Sequence, residues 1–197
     1  QELAVITGAV EAVIVDVQCI MPALADLAAC YHTEMISTSP KAKFPGATHI
    51  EFNEEEAFDI AKTIVRRAVE NYPNRKPEMV TIPDDEMACV VGFSVEAIVG
   101  ALGGTLDPLL DAIKSGAIRG IAGVVGCNNP KIRHDYGHVK LVEELIANDV
   151  LVVNTGCNAI ACAKAGLLLP EAAKQAGGGL RSVCEALGIP PVLHSGS

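Results

Sequence analysis

The sequence predicts an α/β protein: a doubly wound, Rossmann-like parallel sheet with helices on both faces, folded as a single domain. Half of the 197 residues are hydrophobic but only 4% are aromatic, a composition typical of strands that are buried on both faces. Short β-branched runs also alternate with helical patterns along the chain. Such an order predicts right-handed β–α–β connections and therefore a parallel sheet.

The first part of the chain contains three predicted strands. Apolar runs bounded by turn residues place them at Ala9–Val17, Met35–Thr38 and His49–Phe52. A helix is predicted between the first two strands, over residues 21–31, because Pro22 stands where its missing N–H costs nothing. A longer helix is predicted after the N-cap Asn53 and ends near Asn71. Its apolar face is expected to comprise Phe58, Ala61, Ile64, Val65 and Ala68.

The second part follows an excursion at about residues 72–93, which is rich in proline and charge at its start. Three further strands are predicted, and they end at Val125, Val153 and Leu193. Helices are expected between and around these strands. They are predicted over residues 95–102, 107–114, 136–148, 158–166, 171–176 and 180–187.

The composition excludes several functional classes. A net charge of −9 argues against nucleic acid or an anionic membrane as a partner, since proteins that bind phosphates are usually basic. No apolar run reaches the roughly 18 residues of a membrane-spanning helix, and the first residues lack the pattern of a signal peptide. We therefore expect a soluble, cytoplasmic protein. The first residue, Gln1, and the final HSGS suggest a piece of a longer chain.

Three of the seven cysteines recur at equivalent places. Cys19, Cys127 and Cys157 each come shortly after a β-branched apolar run. The carboxyl ends of parallel strands share one edge of a sheet, where ligands bind. Thiolates are the ligands of iron–sulfur clusters. The sequence therefore predicts that these three cysteines bind a metal cluster; the alternative is that they pack as small hydrophobic side chains.

The residues beside these cysteines support the cluster hypothesis. Gly126 and Gly156 have no side chain and allow the backbone to approach a bulky group. Nearby amides can donate hydrogen bonds to sulfur, and these are Asn128, Asn129 and Asn158. Thiolates that share a cubane lie roughly 6–7 Å apart, given metal–sulfur bonds of about 2.3 Å.

The remaining cysteines and the histidines have simpler interpretations. Packing among apolar neighbours is expected for Cys30, Cys89, Cys162 and Cys184. His134 and His138 are four residues apart and can share a helix face, but no third zinc ligand lies near in sequence. They are interpreted as polar surface or supporting residues. The chain has no C-x-x-C pair, ferredoxin run, dinucleotide glycine motif or Walker motif.

Five long motifs resemble the central region of the anaerobic nickel–iron carbon monoxide dehydrogenases, including the subunits that work with acetyl-CoA synthase. They are VDVQCIMP, GATHIEF, GVVGCNNPKIRHDYGH, TGCNAIACAKAGLL and EALGIPPVLHSGS. The resemblance covers nearly the whole chain, and the motifs recur in the same order. It implies a nickel–iron–sulfur cluster that interconverts CO and CO2, with Cys19, Cys127 and Cys157 matching three ligands of its iron–sulfur portion.

The resemblance also implies which parts of such an enzyme this chain lacks. The ligands of the pendant iron, the nickel-binding cysteine, and the acid–base histidine and lysine have no counterpart here, so no residue is assigned a catalytic role. We expect a central domain that is inactive alone. The whole enzyme is expected to be a homodimer, to pass electrons to an acceptor such as ferredoxin, and in some cases to bind acetyl-CoA synthase subunits.

Two alternatives remain open. The first is a hybrid-cluster protein, which reduces hydroxylamine-like substrates on a similar scaffold. The cysteine pattern that follows Ser197 in the full chain would distinguish it from a carbon monoxide dehydrogenase. The second is a scaffold domain without a cofactor. Measuring iron and acid-labile sulfide after anaerobic reconstitution would distinguish it from a domain that binds a cluster. A nucleotide-binding Rossmann domain is a more distant alternative, because the phosphate loop is missing.

Overall fold

The computed structural model describes residues 1–129 and 131–196, and it confirms the predicted parallel α/β architecture. The chain divides into two compact units, Gln1–Asp85 and Glu86–Ser197. Each unit contains a three-stranded parallel sheet with helices packed around it. The first three strands along the chain pair with one another, and so do the last three, so the six strands form two sheets. That residues 1–197 constitute one domain stays a prediction.

The first unit is built on a sheet with the strand order β1-β2-β3. Its strands are β1 Ala12–Val15, β2 Glu34–Ser37 and β3 Thr48–His49. Its helices are α1 Glu2–Val5, α2 Ala23–Cys30 and α3 Ala57–Asn71. The small core includes Val5, Val15, Leu24 and Met35. All three predicted strands are present; β1 and β3 are shorter than the apolar runs that predicted them, whereas β2 has the predicted length and begins one residue earlier.

The outward face of α3 differs from the prediction. Asn53 caps a 3₁₀ turn, Glu54–Glu56, which leads into the helix; its Oδ1 accepts a hydrogen bond from the Glu55 N–H at 3.0 Å. The predicted apolar face is only partly correct, since Phe58 and Val65 are 73% and 62% exposed. Ala61 is exposed as well, whereas Ile64 and Ala68 are half-buried and so agree with the prediction. The helix carries two apolar stripes, and periodicity alone does not decide which one packs.

The second unit has a sheet with the order β4-β5-β6 and a larger core. Its strands are β4 Gly120–Val124, β5 Val150–Asn154 and β6 Val192–His194. Its helices are α4 Val95–Ala101, α5 Asp107–Lys114, α6 Tyr136–Ala147, α7 Gly156–Lys164 and α8 Gly178–Leu187. Residues Pro170–Gln175 form a 3₁₀ helix rather than an α-helix.

Residues on opposite faces of β5 meet different surroundings. Val152 is completely buried, as is Ile146 of α6. Val153, the next residue of β5 after Val152, is half-buried. It lines an apolar cavity of about 270 Å³ together with Leu151 and Ile121. The sheet is therefore covered on both faces, as a doubly wound arrangement requires, but one face is packed less completely.

The predicted excursion contains little regular structure. It begins with 3₁₀ turns at Tyr72–Asn74 and Pro77–Met79. Its later part joins the second unit, because the N–H groups of Gly92 and Phe93 both donate to the His194 carbonyl at 3.0 Å. Ser94 then caps α4 as expected. Within the described ranges, no helix is long and apolar enough to cross a membrane.

Candidate metal-cluster site

Cys127 and Cys157 follow neighbouring strands at the same level of the second sheet. Strands β4 and β5 are parallel, and Val124 pairs with Asn154 at their carboxyl ends. Each cysteine lies three residues beyond its member of that pair. Because the register is matched, both chains leave the sheet at the same edge with the same offset. The structure therefore brings these two predicted ligands to one edge.

A glycine with a positive φ directly precedes each of these cysteines. Gly126 has a φ of 121° and Gly156 a φ of 64°, and side-chain-bearing residues rarely adopt such values. A Cβ built at either position meets no atom within 4 Å. The two glycines thus permit the turn out of each strand, and no residue other than their chain neighbours crowds their Cα atoms.

The two thiols have different helical surroundings. Cys157 is the second residue of α7 and is partly exposed. Cys127 is exposed and lies in a loop that precedes α6 by several residues. Its carbonyl oxygen lies 3.2 Å from Nε2 of His138, which donates a hydrogen bond when that nitrogen carries the proton.

Cys19 occupies the corresponding position in the first unit. It lies four residues beyond the end of β1 at Val15 and is exposed. Its backbone is left-handed, with a φ of 58°, and its carbonyl accepts a hydrogen bond from Gln1 Nε2 at 2.9 Å. The structure thus places each predicted ligand beyond the carboxyl end of a parallel strand. That the three thiols share one cluster stays a prediction.

Asn128 is hydrogen-bonded to Asp135. Its Nδ2 donates to Asp135 Oδ1 at 2.9 Å, and its Oδ1 accepts from the Asp135 N–H at 2.7 Å. Lys164 forms an ion pair with the other carboxylate oxygen, and His134 Nε2 lies 3.3 Å from Oδ1. Sequence reasoning missed this contact with Asp135, which uses one of the two Nδ2 hydrogens of Asn128; the predicted role of Asn128 as a donor to sulfur stays a prediction.

The Asp135 carboxyl has a lowered pKa. Partial burial alone raises that pKa, but hydrogen bonds from Lys164 and Asn128 and the charge of Lys164 outweigh the effect of burial. The side chain of Asp135 is 14% exposed, and that of Lys164 is 48% exposed. The group is consequently a carboxylate at neutral pH, and its charge strengthens the hydrogen bonds that it accepts.

Asn158, beside Cys157, retains an uncommitted amide within the described part of the chain. Asn154 Nδ2 donates to Asn158 Oδ1 at 3.0 Å, and both residues are buried. The Asn158 Nδ2 and the Asn154 Oδ1 have no hydrogen-bond partner among residues 1–129 and 131–196. A buried amide without a partner is costly, so this position remains compatible with a donor to a bound group.

The other four cysteines divide into two pairs. Packing is confirmed for Cys162 and Cys184, which are 0% and 1% exposed, and burial raises the pKa of each thiol to about 11. Packing is wrong for Cys30 and Cys89, which are exposed. Cys30 is the last residue of α2, and Cys89 lies in a segment outside the named helices and strands.

The donor chemistry of the strand-end cysteines fits an iron–sulfur cluster, because thiolates hold such clusters and the adjoining glycines are uncrowded. No three or more His, Cys, Asp or Glu side chains within 1–129 and 131–196 are grouped so that they could hold a metal ion. The fit therefore rests on residue type and strand-end position.

Two parallel sheets, each with at least one cysteine beyond the carboxyl end of a strand, define this chain as an α/β protein with free thiols at its strand ends. More particularly, the chain belongs to the Prismane/CO dehydrogenase family, whose model matches residues 1–197. The family match supports the resemblance that the sequence motifs indicated.

Relatives of known function are carbon monoxide dehydrogenases. Carbon monoxide dehydrogenase 1 of Methanosarcina mazei is 70% identical over 197 residues, which is all of this chain and 31% of the relative. Carbon monoxide dehydrogenase 1 of Carboxydothermus hydrogenoformans is 47% identical over 211 aligned residues and is 33% covered. The chain thus spans about a third of the length of the curated relatives it matches.

Solved structures give the same result. The nickel-free carbon monoxide dehydrogenase of Thermococcus sp. AM4 matches with a TM-score of 0.87 at 63% identity, over all of this chain and 31% of that one. An acetyl-CoA synthase/carbon monoxide dehydrogenase, described with NiZn–Fe4S4 and NiNi–Fe4S4 clusters, matches with a TM-score of 0.85 at 41% identity and is 32% covered. The backbone fold is therefore that of a segment of these enzymes.

Proposed function

We propose that this chain is part of the catalytic subunit of an anaerobic carbon monoxide dehydrogenase, and that Cys19, Cys127 and Cys157 supply thiolate ligands to its nickel–iron–sulfur cluster. The single observation that carries the proposal is the register of β4 and β5, which gives Cys127 and Cys157 the same offset from one sheet edge. The family match over residues 1–197 supports it.

The matched offset has a chemical meaning. Two thiols that serve only as small hydrophobic groups have no reason to stand at equivalent strand ends, and burial would suit them better. Cys127 is exposed and Cys157 is partly exposed, whereas the packing cysteines Cys162 and Cys184 are buried. Exposure at a shared edge is the arrangement that a ligand requires.

The reaction proposed for the whole enzyme converts CO and H2O to CO2, two protons and two electrons. When bound, the nickel–iron–sulfur group supplies the sites for CO and water and accepts the electron pair. Within this chain, the three cysteines hold the group, and the glycines before Cys127 and Cys157 allow its approach. The electrons pass to an acceptor such as ferredoxin, and the whole enzyme is a cytoplasmic homodimer that in some organisms contacts acetyl-CoA synthase subunits.

The 197-residue chain alone is expected to lack CO oxidation. It spans 31% of the Methanosarcina mazei relative, and none of its residues is assigned a catalytic role. A dye-reduction assay with CO under anaerobic conditions checks this expectation. Reduction of the dye by this chain alone would contradict it.

The ligand assignment is tested by anaerobic reconstitution with iron and sulfide, followed by measurement of iron and acid-labile sulfide. The wild-type chain is expected to bind about three to four irons, the content of a cubane-type cluster. Cys19→Ala, Cys127→Ala and Cys157→Ala are each expected to lose the irons together, because a cluster that loses one thiolate is released as a unit.

Cys89→Ala is the matched control, because this cysteine is also exposed but does not follow a strand. It is expected to retain the wild-type iron content. Absence of iron from the wild-type chain would favour a scaffold without a cofactor. Loss of iron from the control to the same extent would show adventitious binding by exposed thiols.

A further inference from the structure

We propose that Asp135 is a positioning residue that ties the loop bearing Cys127 to the helix bearing Cys157, and so fixes the spacing of the two thiols. The inference rests on the proposed function, since the spacing matters only if both thiols bind one group. It goes further by assigning a role to a residue that is itself no ligand. The contacts that carry it lie entirely within the second unit.

The first link joins Asp135 to the loop. Asn128, which directly follows Cys127, makes two hydrogen bonds with Asp135, one to its side chain and one from its backbone. Asp135 also has a left-handed backbone, with a φ of 63°, which aspartate tolerates better than most residues. A reciprocal pair of this kind restricts both the position and the orientation of the chain beside Cys127.

The second link joins Asp135 to α7. Lys164 is the last residue of that helix, and its ammonium group pairs with Asp135 Oδ2. Cys157 and Lys164 are seven residues apart, which corresponds to about two helical turns and a rise of about 10 Å on one helix face. An α-helix of this length is stiff, so a restraint on Lys164 is transmitted to Cys157.

The carboxylate joins the two links. Its Oδ1 accepts from Asn128 and its Oδ2 from Lys164, so a single planar group connects the loop to the helix. The charge strengthens both contacts. The contact between His138 and the Cys127 carbonyl does not involve Asp135. We expect it to remain when Asp135 is replaced and to limit how far the loop can move.

Dipolar EPR between spin labels on Cys127 and Cys157 tests the proposal in the metal-free 197-residue chain. Cys19, Cys30 and Cys89 are replaced by serine, because they are exposed. Cys162 and Cys184 stay unlabelled, because they are buried and their thiol pKa is raised to about 11. With Asp135, Asn128 and Lys164 unchanged, the distance distribution between the two labels is expected to have a single narrow peak.

Two substitutions each remove the ion pair between Asp135 and Lys164 and leave the contact with Asn128 in place. Asp135→Asn keeps a side-chain acceptor for Asn128 and tolerates the left-handed backbone, but it lacks the charge that pairs with Lys164. Lys164→Gln removes the same ion pair from the other side. Both are expected to lose the single narrow distance, and Asp135→Ala is expected to broaden it further. Asp111→Asn, which removes an exposed pair with Lys114 on α5, is the matched control and is expected to keep it.

A narrow distance that persists in both Asp135→Asn and Lys164→Gln would overturn the proposal. A lowered melting temperature without a broader distance distribution would show a purely structural role and would overturn it as well. If Asp135→Ala fails to fold, the two milder variants decide. Failure of the proposed function is recognised separately, because the wild-type chain would then bind no iron on reconstitution while the label distances still respond to Asp135.

Discussion

Adjacent valines in β5 allow the packing of the second unit to be tested with identical chemistry. Val152→Ala and Val153→Ala each remove two methyl groups, worth about 1.6 kcal/mol at about 0.8 kcal/mol for each group transferred from water. Val152 is completely buried, so the new void adds to this loss, and we expect a total of about 2–3 kcal/mol. Val153 already borders a cavity of about 270 Å³, so its truncation is expected to cost less than about 1 kcal/mol.

Urea unfolding followed by far-ultraviolet circular dichroism measures the difference. With a slope of about 2 kcal/mol per molar urea, the midpoint is expected to fall by about 1–1.5 M for Val152→Ala and by less than about 0.5 M for Val153→Ala. The loss of strand propensity is common to both variants and cancels in the comparison. Equal midpoint shifts, or a larger shift for Val153→Ala, would refute the inference that the two faces of β5 are packed differently.

Two further predictions concern a close backbone contact and an ion pair. Gly179→Ala is expected to lower the melting temperature strongly, because its Cβ would lie 2.2 Å from the Ala117 carbonyl oxygen. A Cβ at Gly178 meets no atom within 4 Å, so Gly178→Ala is expected to be neutral or stabilising. Similar melting temperatures for the two variants would contradict this prediction. Arg67 donates hydrogen bonds to the Glu34 carboxylate and holds its pKa below the ordinary value of 4.5, an effect larger than the opposing effect of burial. The stability from this pair is therefore present above a pH of about 4.5 and lost as the pH falls through the lowered folded-state pKa. Hydrogen exchange in β2 between pH 6 and 3 should show this loss in the wild type and a weaker pH dependence in Glu34→Gln; identical pH profiles would exclude it.

Local patterns predicted the elements of the fold well. Apolar runs indicated the positions of all six strands. Ser94 caps α4 through the predicted side-chain hydrogen bond, and Asn53 caps the 3₁₀ turn that leads into α3. These features depend on residues that are close in sequence, so they can be deduced without knowledge of the tertiary structure. The positions of Cys127 and Cys157 beyond strand ends followed from the same runs, because strand ends and their glycines are also local.

Features that depend on distant residues were predicted less well. The grouping of the strands into two sheets depends on which edges pair, and no local pattern encodes that choice. The exposure of Phe58 depends on which of two apolar stripes on α3 meets the sheet. The contact of Asp135 with Lys164 joins the loop before α6 to the end of α7, and neither residue has a local signature that identifies the other.

The pairing of Val124 with Asn154 has a consequence for how related sequences can change in length. One residue added within β4 or β5, or between either strand and its cysteine, would shift one thiol by about 3.3 Å along the strand direction relative to the other. Such a shift exceeds the length of a metal–sulfur bond, about 2.3 Å. Insertions and deletions in functional relatives should therefore be absent from these two short stretches and should accumulate in surface segments such as residues 72–86.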